Sequence, residues 1–366
     1  MLGNMDPDSS TNPALRVADS LSAPAHLHLD IAARTDVGRL RDHNEDSLLV
    51  ARPGGRGCTR PCAAPFDVAA PEWVALGVCD GMGGAAAGEV ASRSAAEVIG
   101  EVLTAGGLLA SPDDLGARLV ASVEEAARRI HQAALVRREL AGMGTTATVC
   151  ALSGDALFVA QVGDSRAYLL RGGRLTQLTR DQTLAELMME QGQLTPEDLP
   201  SFAFSHIILQ ALGTSPRVDV DLVRVTVRRG DVLLVCSDGL SGPVEAETIR
   251  RTLEEAASPV EAAEALIALA NAAGGPDNVT AIVARIEGEA LDVADDAVVP
   301  QKGYGLAPVE SPSALAEDPP AFAAGVAAPA SSPRADEPAE PAPDRRGALG
   351  RVIAFLRGAL RPGNGR

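Results

Sequence analysis

Three short apolar runs in this chain each end at an aspartate that stands beside glycine or serine. The runs and their acids are Val74 to Cys79 before Asp80-Gly81, Leu157 to Val162 before Gly163-Asp164-Ser165, and Val232 to Cys236 before Ser237-Asp238-Gly239. Short runs of Val, Leu, Ala and Cys are typical of strands buried on both faces, and an adjacent glycine permits a tight turn. The pattern therefore predicts buried strands that deliver several carboxylates to one place.

A fourth acid fits the same arrangement in reverse. Asp277 lies in the turn sequence Gly274-Gly275-Pro276-Asp277-Asn278, directly before the strand-like run Val279 to Val283. Carboxylates gathered at the rim of an apolar core repel one another and require a cation. Because the candidate ligands are all oxygen atoms, Mg²⁺ and Mn²⁺ are the expected ions.

The overall charge limits the classes of partner. The formal net charge is −17 over 366 residues, and nucleic acids and anionic membranes are bound by basic surfaces. We therefore expect no nucleic-acid partner for the main domain. The first 25 residues contain no basic start followed by an apolar stretch, and no span of about 18 apolar residues occurs. These features predict a cytoplasmic protein.

The five cysteines fall into two groups. Cys79, Cys150 and Cys236 lie inside apolar runs, where cysteine behaves as a small hydrophobic residue. Cys58 and Cys62 share a Pro- and Gly-rich segment between Arg52 and Pro71 that is predicted to be a loop. The sequence leaves two interpretations of this pair open, namely ordinary loop residues and a redox or adventitious metal pair.

Composition divides the chain into four parts. Residues 1–25 are predicted to be disordered, 26–287 to form the main folded domain, 288–344 to be an acidic linker rich in Ala and Pro, and 345–366 to be a short basic amphipathic tail. The tail places apolar residues on one helical face and arginines around them. Residues 345–361 could contact a membrane surface or a protein groove, pack back on the domain or remain frayed.

Strand-like and helical stretches within residues 26–287 occur in blocks. Strands are predicted at 26–33, 47–51, 73–79, 145–152, 157–161, 167–170, 219–227, 232–236 and 279–286, and helices at 88–103, 115–140, 247–256 and 260–273. Hairpin-like turns and the absence of strict βαβ alternation indicate antiparallel sheets covered by helices. The predicted fold class is α+β.

The segment Arg41-Asp42-His43-Asn44-Glu45-Asp46 adds a cation to the acidic set. An arginine among acids can form a structural ion pair. Its planar guanidinium can also hold two oxygens of a phosphate, and it would offset the charge of a phosphorylated substrate.

Six motifs in this order resemble the metal-dependent protein Ser/Thr phosphatases of the 2C type, in their bacterial form. They are Arg41-x-x-x-Glu45-Asp46, Asp80-Gly81-Met82-Gly83-Gly84, Gly144-Thr145-Thr146, Gly163-Asp164-Ser165-Arg166, Ser237-Asp238-Gly239 and Asp277-Asn278. The resemblance covers about 260 residues. It implies a sandwich of two packed antiparallel β-sheets flanked by α-helices.

The resemblance also implies a role for each matched residue. Asp80 would bridge two Mn²⁺ or Mg²⁺ ions, with the Gly81 carbonyl on one ion and with Asp238 and Asp277 on the other. Glu45 and Asp46 would hold metal-bound waters, and Asp164 with Asp238 would bind a weaker third ion. Arg41 would clamp the phosphoryl group while a water between the ions attacks phosphorus.

The family further implies a flap over residues 180–217 and phosphoprotein substrates, with Ser/Thr kinases as the opposing enzymes. Met82 replaces a histidine that animal relatives carry after the Asp-Gly pair, so that leaving-group acid is missing.

Four alternatives remain beside this interpretation. Gly81 to Ala86 imitates a dinucleotide-binding turn, and Gly163 to Ala167 imitates a serine-hydrolase elbow with His206 as its base. A catalytically silent 2C-type domain could act as a phosphoprotein-binding scaffold. A narrower enzyme could serve a single regulatory partner.

Overall fold

The structure is a computed structural model that describes residues 26–303, except 56–57, 70–71, 84–86, 108, 110, 290 and 294–296. The strands are β1 His26–Asp36, β2 Asp46–Ala51, β3 Cys62–Ala69, β4 Val74–Met82, β5 Gly144–Thr145, β6 Ala147–Ser153, β7 Ala156–Val162, β8 Arg166–Arg171, β9 Arg174–Gln177, β10 Asp221–Thr226, β11 Val232–Cys236, β12 Val279–Glu287 and β13 Lys302–Gly303. The helices are α1 Ala87–Ala105, α2 Pro112–Val136, α3 Leu184–Glu190, α4 Asp238–Ser241, α5 Ala246–Glu255 and α6 Pro259–Ala272, with 3-10 turns at Arg138–Leu140 and Leu199–Ser201.

The described strands form two antiparallel sheets. The first has the order β3-β1-β12-β11-β8-β9, and the second has the order β13-β10-β7-β6-β4-β2, with β5 paired to β4. Hairpins such as β6–β7, in which Ser153 faces Ala156, keep neighbouring strands antiparallel. The predicted absence of βαβ alternation is confirmed.

Four layers enclose three apolar cores. Helices α1 and α2 pack on the second sheet, α5 and α6 pack on the first, and the two sheets face each other. Val, Leu, Ile and Ala fill the middle core between the sheets, and Phe158 and Trp73 lie in the core under α1 and α2. The α+β class and the α-β-β-α sandwich implied by the resemblance are therefore both confirmed.

Local sequence signals explain where two of the long helices begin. The Ser111 side chain accepts a hydrogen bond from the Asp114 amide, the Asp114 carboxylate accepts one from the Ser111 amide, and Pro112 starts α2. This reciprocal capping box and a proline in the first turn are strong helix starts. Ser258 and Pro259 repeat the cap-and-proline arrangement at α6.

Part of the predicted loop between Arg52 and Pro71 is a strand. Residues 62–69 form β3, which extends the first sheet by pairing with β1, from Cys62 opposite Ala33 to Ala69 opposite His26. Pro65 lies on this edge strand, where a missing backbone donor costs nothing to the sheet. The interpretation as a loop was wrong for these residues, because alanine and proline obscured the strand pattern.

The ordered fold continues past the predicted boundary at Glu287. Leu291 and Val299 are buried in the middle core, and β13 pairs with β10 through Val223 and Arg224. The predicted disordered segment 1–25 and the tail 345–366 lie outside the described residues. Within the residues that the structure describes, no helix is long and apolar enough to cross a membrane.

A buried ion pair joins this C-terminal extension to the sheets. The Arg171 guanidinium donates to both carboxylate oxygens of Asp231, at 2.9 and 2.7 Å, and also to the carbonyl oxygens of Thr226 and Val298. The side chains of Arg171 and Asp231 are 5% and 1% exposed. Removing one member leaves a buried charge without its counterion, which is strongly destabilising.

We expect Arg171→Met to lower the free energy of unfolding by about 3–5 kcal/mol, because Asp231 loses its counterion. The free energy of unfolding should fall less in the double variant Arg171→Met/Asp231→Leu. Substitution of an exposed arginine, Arg174→Met, should change the free energy of unfolding by no more than about 0.5 kcal/mol. Urea unfolding followed by circular dichroism measures all three. Equal unfolding midpoints for Arg171→Met and the wild-type protein would contradict the argument.

Candidate active site

The predicted acids converge at one end of the sandwich. Asp46 starts β2 and lies opposite Asp80 near the end of β4, while Asp164 lies in the turn from β7 to β8. Asp238 is the first residue of α4 after β11, and Asp277 lies two residues before the start of β12. Burial is the main cause of the raised pKa of Asp80, and repulsion from Asp46 and Asp238 raises it further. These carboxyl groups therefore lie close together.

The backbone of Asp80 is held by the Thr145-Thr146 pair. The Asp80 amide donates to the Thr146 hydroxyl at 2.9 Å, and the Asp80 carbonyl accepts from the Thr146 amide at 2.8 Å and the Thr145 hydroxyl at 2.9 Å. Both threonines are buried. The third sequence motif therefore positions Asp80 and itself contributes no acid.

Gly81 lies where a side chain cannot fit. A Cβ atom at this position would be 2.2 Å from the Gly88 carbonyl oxygen and 2.6 Å from the Glu45 carbonyl oxygen. The Gly81 amide donates to that same Glu45 oxygen at 3.1 Å. This close contact brings the segment containing Glu45 against the end of β4.

Two hydroxyl groups hold the Asp46 carboxylate. Its Oδ2 atom accepts hydrogen bonds from the Ser237 and Thr280 hydroxyls, both at 2.7 Å. Asp46 is buried, and its Oδ1 atom has no partner. Sequence reasoning missed both hydroxyl donors, although Ser237 precedes Asp238 and Thr280 follows the Asp277-Asn278 motif.

Asn278 fixes the segment that carries Arg41. Its side-chain oxygen accepts from the Glu45 amide at 2.7 Å, and its side-chain nitrogen donates to the carbonyl oxygens of Val37 and His43, both at 2.9 Å. Asn278 is 4% exposed. One buried amide thus determines how the segment folds over the site.

Arg41 reaches the acids from this segment. Its guanidinium donates to Asp277 Oδ2 at 2.7 Å, with the two side chains 49% and 33% exposed. A partly exposed pair of this kind is weak, so little is lost when the guanidinium turns to another anion. Of the two interpretations of Arg41, the ion pair with Asp277 is present and the phosphate clamp remains geometrically accessible.

Burial makes ionisation of these acids costly. In the absence of a cation, burial raises the pKa of Asp46 and of Asp164 to about 7, opposed for Asp46 by the hydroxyl donors. It raises the pKa of Asp80 well above its usual range, with repulsion from Asp46 and Asp238 adding to the effect, and it also raises the pKa of Asp238. Neighbouring buried carboxyl groups favour a protonated form unless a cation neutralises them.

Unpartnered oxygens test whether the site suits a metal. The Oδ1 atoms of Asp46, Asp164 and Asp238 are buried without a hydrogen-bond partner. Among the described residues, no three His, Cys, Asp or Glu side chains are placed to hold a metal ion by themselves. Mg²⁺ usually keeps several waters and takes only one or two protein carboxylates per ion, so open acids with free oxygens fit such ions.

Three of these acids, Asp164, Asp238 and Asp277, line a cavity of about 690 Å³. The predicted flap lines the other side, with α3 and the residues Leu199, Ser205 and His206. His206 and Arg41 both oppose the effect of burial on the pKa of Asp238, because a positive charge nearby favours its ionised form. The cavity is therefore bounded by acids, by a guanidinium and by a mixed polar and apolar flap.

Gln182 connects the flap to the turn that carries Asp164. Its side-chain oxygen accepts a hydrogen bond from the Gly163 backbone amide at 2.9 Å, and its backbone amide donates one to the Gly163 carbonyl at 2.9 Å. From the far end of the flap, Leu209 donates to the Gln182 carbonyl and the Gln210 side chain donates to the Gln182 side chain. Both ends of the flap are thus tied to this turn.

Two of the alternative sites fail on geometry. Ser165 is fully buried, its hydroxyl is bonded to that of Thr146, and β8 follows it in place of the helix of a nucleophile elbow. Gly81 lies in β4, which pairs antiparallel with β2, β5 and β6, whereas a dinucleotide turn requires parallel βαβ packing. Met82 is exposed at the site and carries no acidic proton.

Comparison with known proteins decides the family. Residues 62–272 match the family described as Protein phosphatase 2C, and 250 residues are 34% identical to the serine/threonine phosphatase stp of Listeria welshimeri, covering 68% of this chain and 93% of that protein. The chain belongs to the protein phosphatase 2C family. The resemblance stated from the six motifs is confirmed.

Mycobacterium tuberculosis PstP, a serine/threonine protein phosphatase, is 38% identical over 264 residues. This match covers 71% of our chain but 45% of PstP, so the chain spans about half the length of that relative. A crystal structure of PstP/Ppp superposes with a TM-score of 0.60, covering 71% of this chain and 99% of that one. A second structure, of the PstP catalytic domain in complex with two manganese ions, has a TM-score of 0.59 and 38% identity.

The match to the 2C family does not cover all of the candidate site residues. Arg41, Glu45, Asp46 and Asp277 lie outside residues 62–272, whereas Asp80, Asp164 and Asp238 lie inside. Hydrogen bonds from the Ser237 hydroxyl to the Asp46 carboxylate and from the Gly81 amide to the Glu45 carbonyl join the outer residues to the inner set. The complete site is thus assembled by contacts between distant parts of the chain.

The raised pKa values predict how pH affects the metal-free 2C domain. Because Asp46 and Asp164 titrate near 7 when folded and near 3.8 when unfolded, the folded state holds more protons between these values. Their contribution to stability is complete below about pH 4 and is lost as the pH rises to about 7. A divalent cation should replace the missing protons and reverse the loss.

We therefore expect the melting temperature in EDTA to fall from about pH 5.5 to about pH 7.5, and Mn²⁺ to raise it more at the higher pH. Differential scanning fluorimetry measures both effects. Asp164→Asn, which cannot ionise, should show a smaller fall. A melting temperature that rises over this interval in EDTA, equally in both proteins, would contradict the assignment.

Proposed function

We propose that this chain is a metal-dependent protein serine/threonine phosphatase that hydrolyses phosphoserine and phosphothreonine in proteins. The observation that carries the proposal is a group of buried aspartates with unpartnered oxygens beside a cavity that Arg41, Asp164 and Asp238 line. Membership of the 2C family and the names of the bacterial relatives support the same reaction.

The proposed cofactors are two Mn²⁺ or Mg²⁺ ions. Asp46, Asp80, the Gly81 carbonyl oxygen, Asp238 and Asp277 would hold them, and Asp164 with Asp238 would hold a weaker third ion. When bound, such ions lower the pKa of water and offset the charge of a phosphoryl group. The two manganese ions in the PstP catalytic domain support this choice of metal.

The residues of the chain orient the reactants around these ions. Arg41 would leave Asp277 to bind two phosphoryl oxygens, since both side chains are partly exposed and a bidentate phosphate contact is the stronger one. Glu45 and Asp46 would accept hydrogen bonds from water and orient it for attack in line with the leaving oxygen. Ser237 and Thr280 keep Asp46 in place for this task.

The substrates and the domain limits are part of the proposal. We infer that phosphoproteins enter between the acids and the flap, that 2C-type activity opposes Ser/Thr kinases, and that the catalytic domain extends from residue 26 to 303. The basic segment 345–361 would add a membrane-surface or protein contact. The scaffold alternative has no lost ligand to support it, because Arg41, Asp80, Gly81, Asp238 and Asp277 are all present.

The direct test is phosphate release from a phosphothreonine peptide by the full chain, in EDTA, Mg²⁺ or Mn²⁺. We expect activity only with a divalent cation, and a kcat/KM for Arg41→Ala about 10- to 100-fold lower, because hydrogen bonds to the charged phosphoryl group are lost. Arg93→Ala, on the outer surface of α1, is the matched control. A folded chain that is inactive with every cation would favour the scaffold.

The second test separates the acids from the fold. Asp238→Asn should abolish cation-dependent turnover, because an amide neither carries the charge nor binds the ion as tightly. Its far-ultraviolet circular dichroism should match that of the wild-type chain, since the substitution removes a buried charge. Turnover near the wild-type level in this variant would show that Asp238 binds no essential ion.

A further inference from the structure

Cys58 and Cys62 lie where the edges of the two sheets meet. The Cys58 amide and carbonyl exchange hydrogen bonds with Val50 of β2, at 2.7 and 2.8 Å. Cys62 starts β3 and faces Ala33 of β1. Because β2 is the edge of one sheet and β3 the edge of the other, residues 59–61 cross between the sheets.

The two thiol groups meet at this crossing. They lie close enough to interact, because burial and the neighbouring Cys58 thiol together raise the pKa of Cys62 to about 11. Both residues are half-buried and pack against the core between the sheets, whereas Cys79, Cys150 and Cys236 are buried. This pair is therefore accessible to a small oxidant, and the other thiols are protected.

The surroundings favour a bond between the sulfurs over a bound metal. A structural zinc site needs about four ligands from Cys, His or carboxylates. Among the described residues, no group of three such side chains is placed to hold a metal ion. Neighbouring Arg34, which donates to the Cys62 carbonyl at 3.1 Å, adds a positive charge instead.

We propose that Cys58 and Cys62 are a thiol-oxidation site that closes a reversible disulfide bond across the two sheet edges. With a small disulfide such as glutathione disulfide, Cys58 attacks one sulfur as its thiolate and releases one glutathione. The Cys62 sulfur then loses its proton, attacks Cys58 and displaces the second glutathione. Two protons and two electrons pass to the two glutathione thiols.

The bond would join strands that lead to the active site without touching its acids. Strand β2 begins at Asp46, and β1 ends before the segment that carries Arg41. Cys58 is bonded to β2, and Cys62 lies in β3, which pairs with β1. A disulfide between them would constrain the unfolded chain and would resist separation of the two sheet edges. This inference goes beyond phosphate hydrolysis and holds whether or not the chain is a phosphatase.

The test is oxidation of the full chain by glutathione disulfide, followed by thiol counting in denaturant and peptide mapping by mass spectrometry. Free thiols should fall from five to three, since two enter the bond, and the peptide containing residues 58–62 should lose two hydrogens. Dithiothreitol should reverse both changes. Oxidation should raise the melting temperature by about 5 °C, given the short loop that is closed.

Single variants distinguish a disulfide from separate reactions. Cys58→Ser and Cys62→Ser should each keep one glutathione on the remaining cysteine, and the buried-site control Cys150→Ala should oxidise like the wild-type chain. Five free thiols under conditions that oxidise a reference dithiol would overturn the proposal. Stable glutathione on the wild-type chain, or stoichiometric Zn²⁺ bound through both cysteines, would also overturn it.

Discussion

The structure depends on keeping several carboxylates together in a buried place where they repel one another. Asp46, Asp80, Asp164 and Asp238 all have raised pKa values, and burial is the largest cause for each. A protein without a use for these acids would gain stability by replacing them with apolar residues. A divalent cation held by these oxygens would offset that cost, so the proposed site exchanges folding stability for cation affinity.

The surrounding frame must hold the acids before any cation arrives. Hydroxyl groups do this for Asp46, backbone contacts with the threonine pair do it for Asp80, and Asn278 holds the opposing segment. Gly239 contributes by close contact, because a Cβ there would lie 1.9 Å from the Asn278 carbonyl oxygen. These contacts come from both sheets, which explains why the site lies at the end of the sandwich, where strands of both sheets terminate.

Much of this arrangement could be predicted from sequence. Buried strands are recognisable in the sequence as apolar runs. An acid beside glycine at the end of each run predicts that the acids converge, as Asp80 and Asp238 do. The hydroxyl donors Ser237 and Thr280 could not be identified, because the sequence does not show that they contact Asp46, which is distant along the chain. Strand β3 was missed for a related reason, since its pairing with β1 is supplied by backbone groups whatever the side chains.

The flap over residues 180–217 is bonded to the turn that carries one of the acids. Gln182 ties both ends of the flap to the Gly163 turn, and Asp181 ties its start to Arg166 through contacts of 2.6 to 3.0 Å. A change in flap position must therefore alter either these bonds or the turn that carries Asp164. The flap wall of the cavity and the turn that carries Asp164 are thus mechanically connected, so a residue change in the flap can also shift the acid at the other wall.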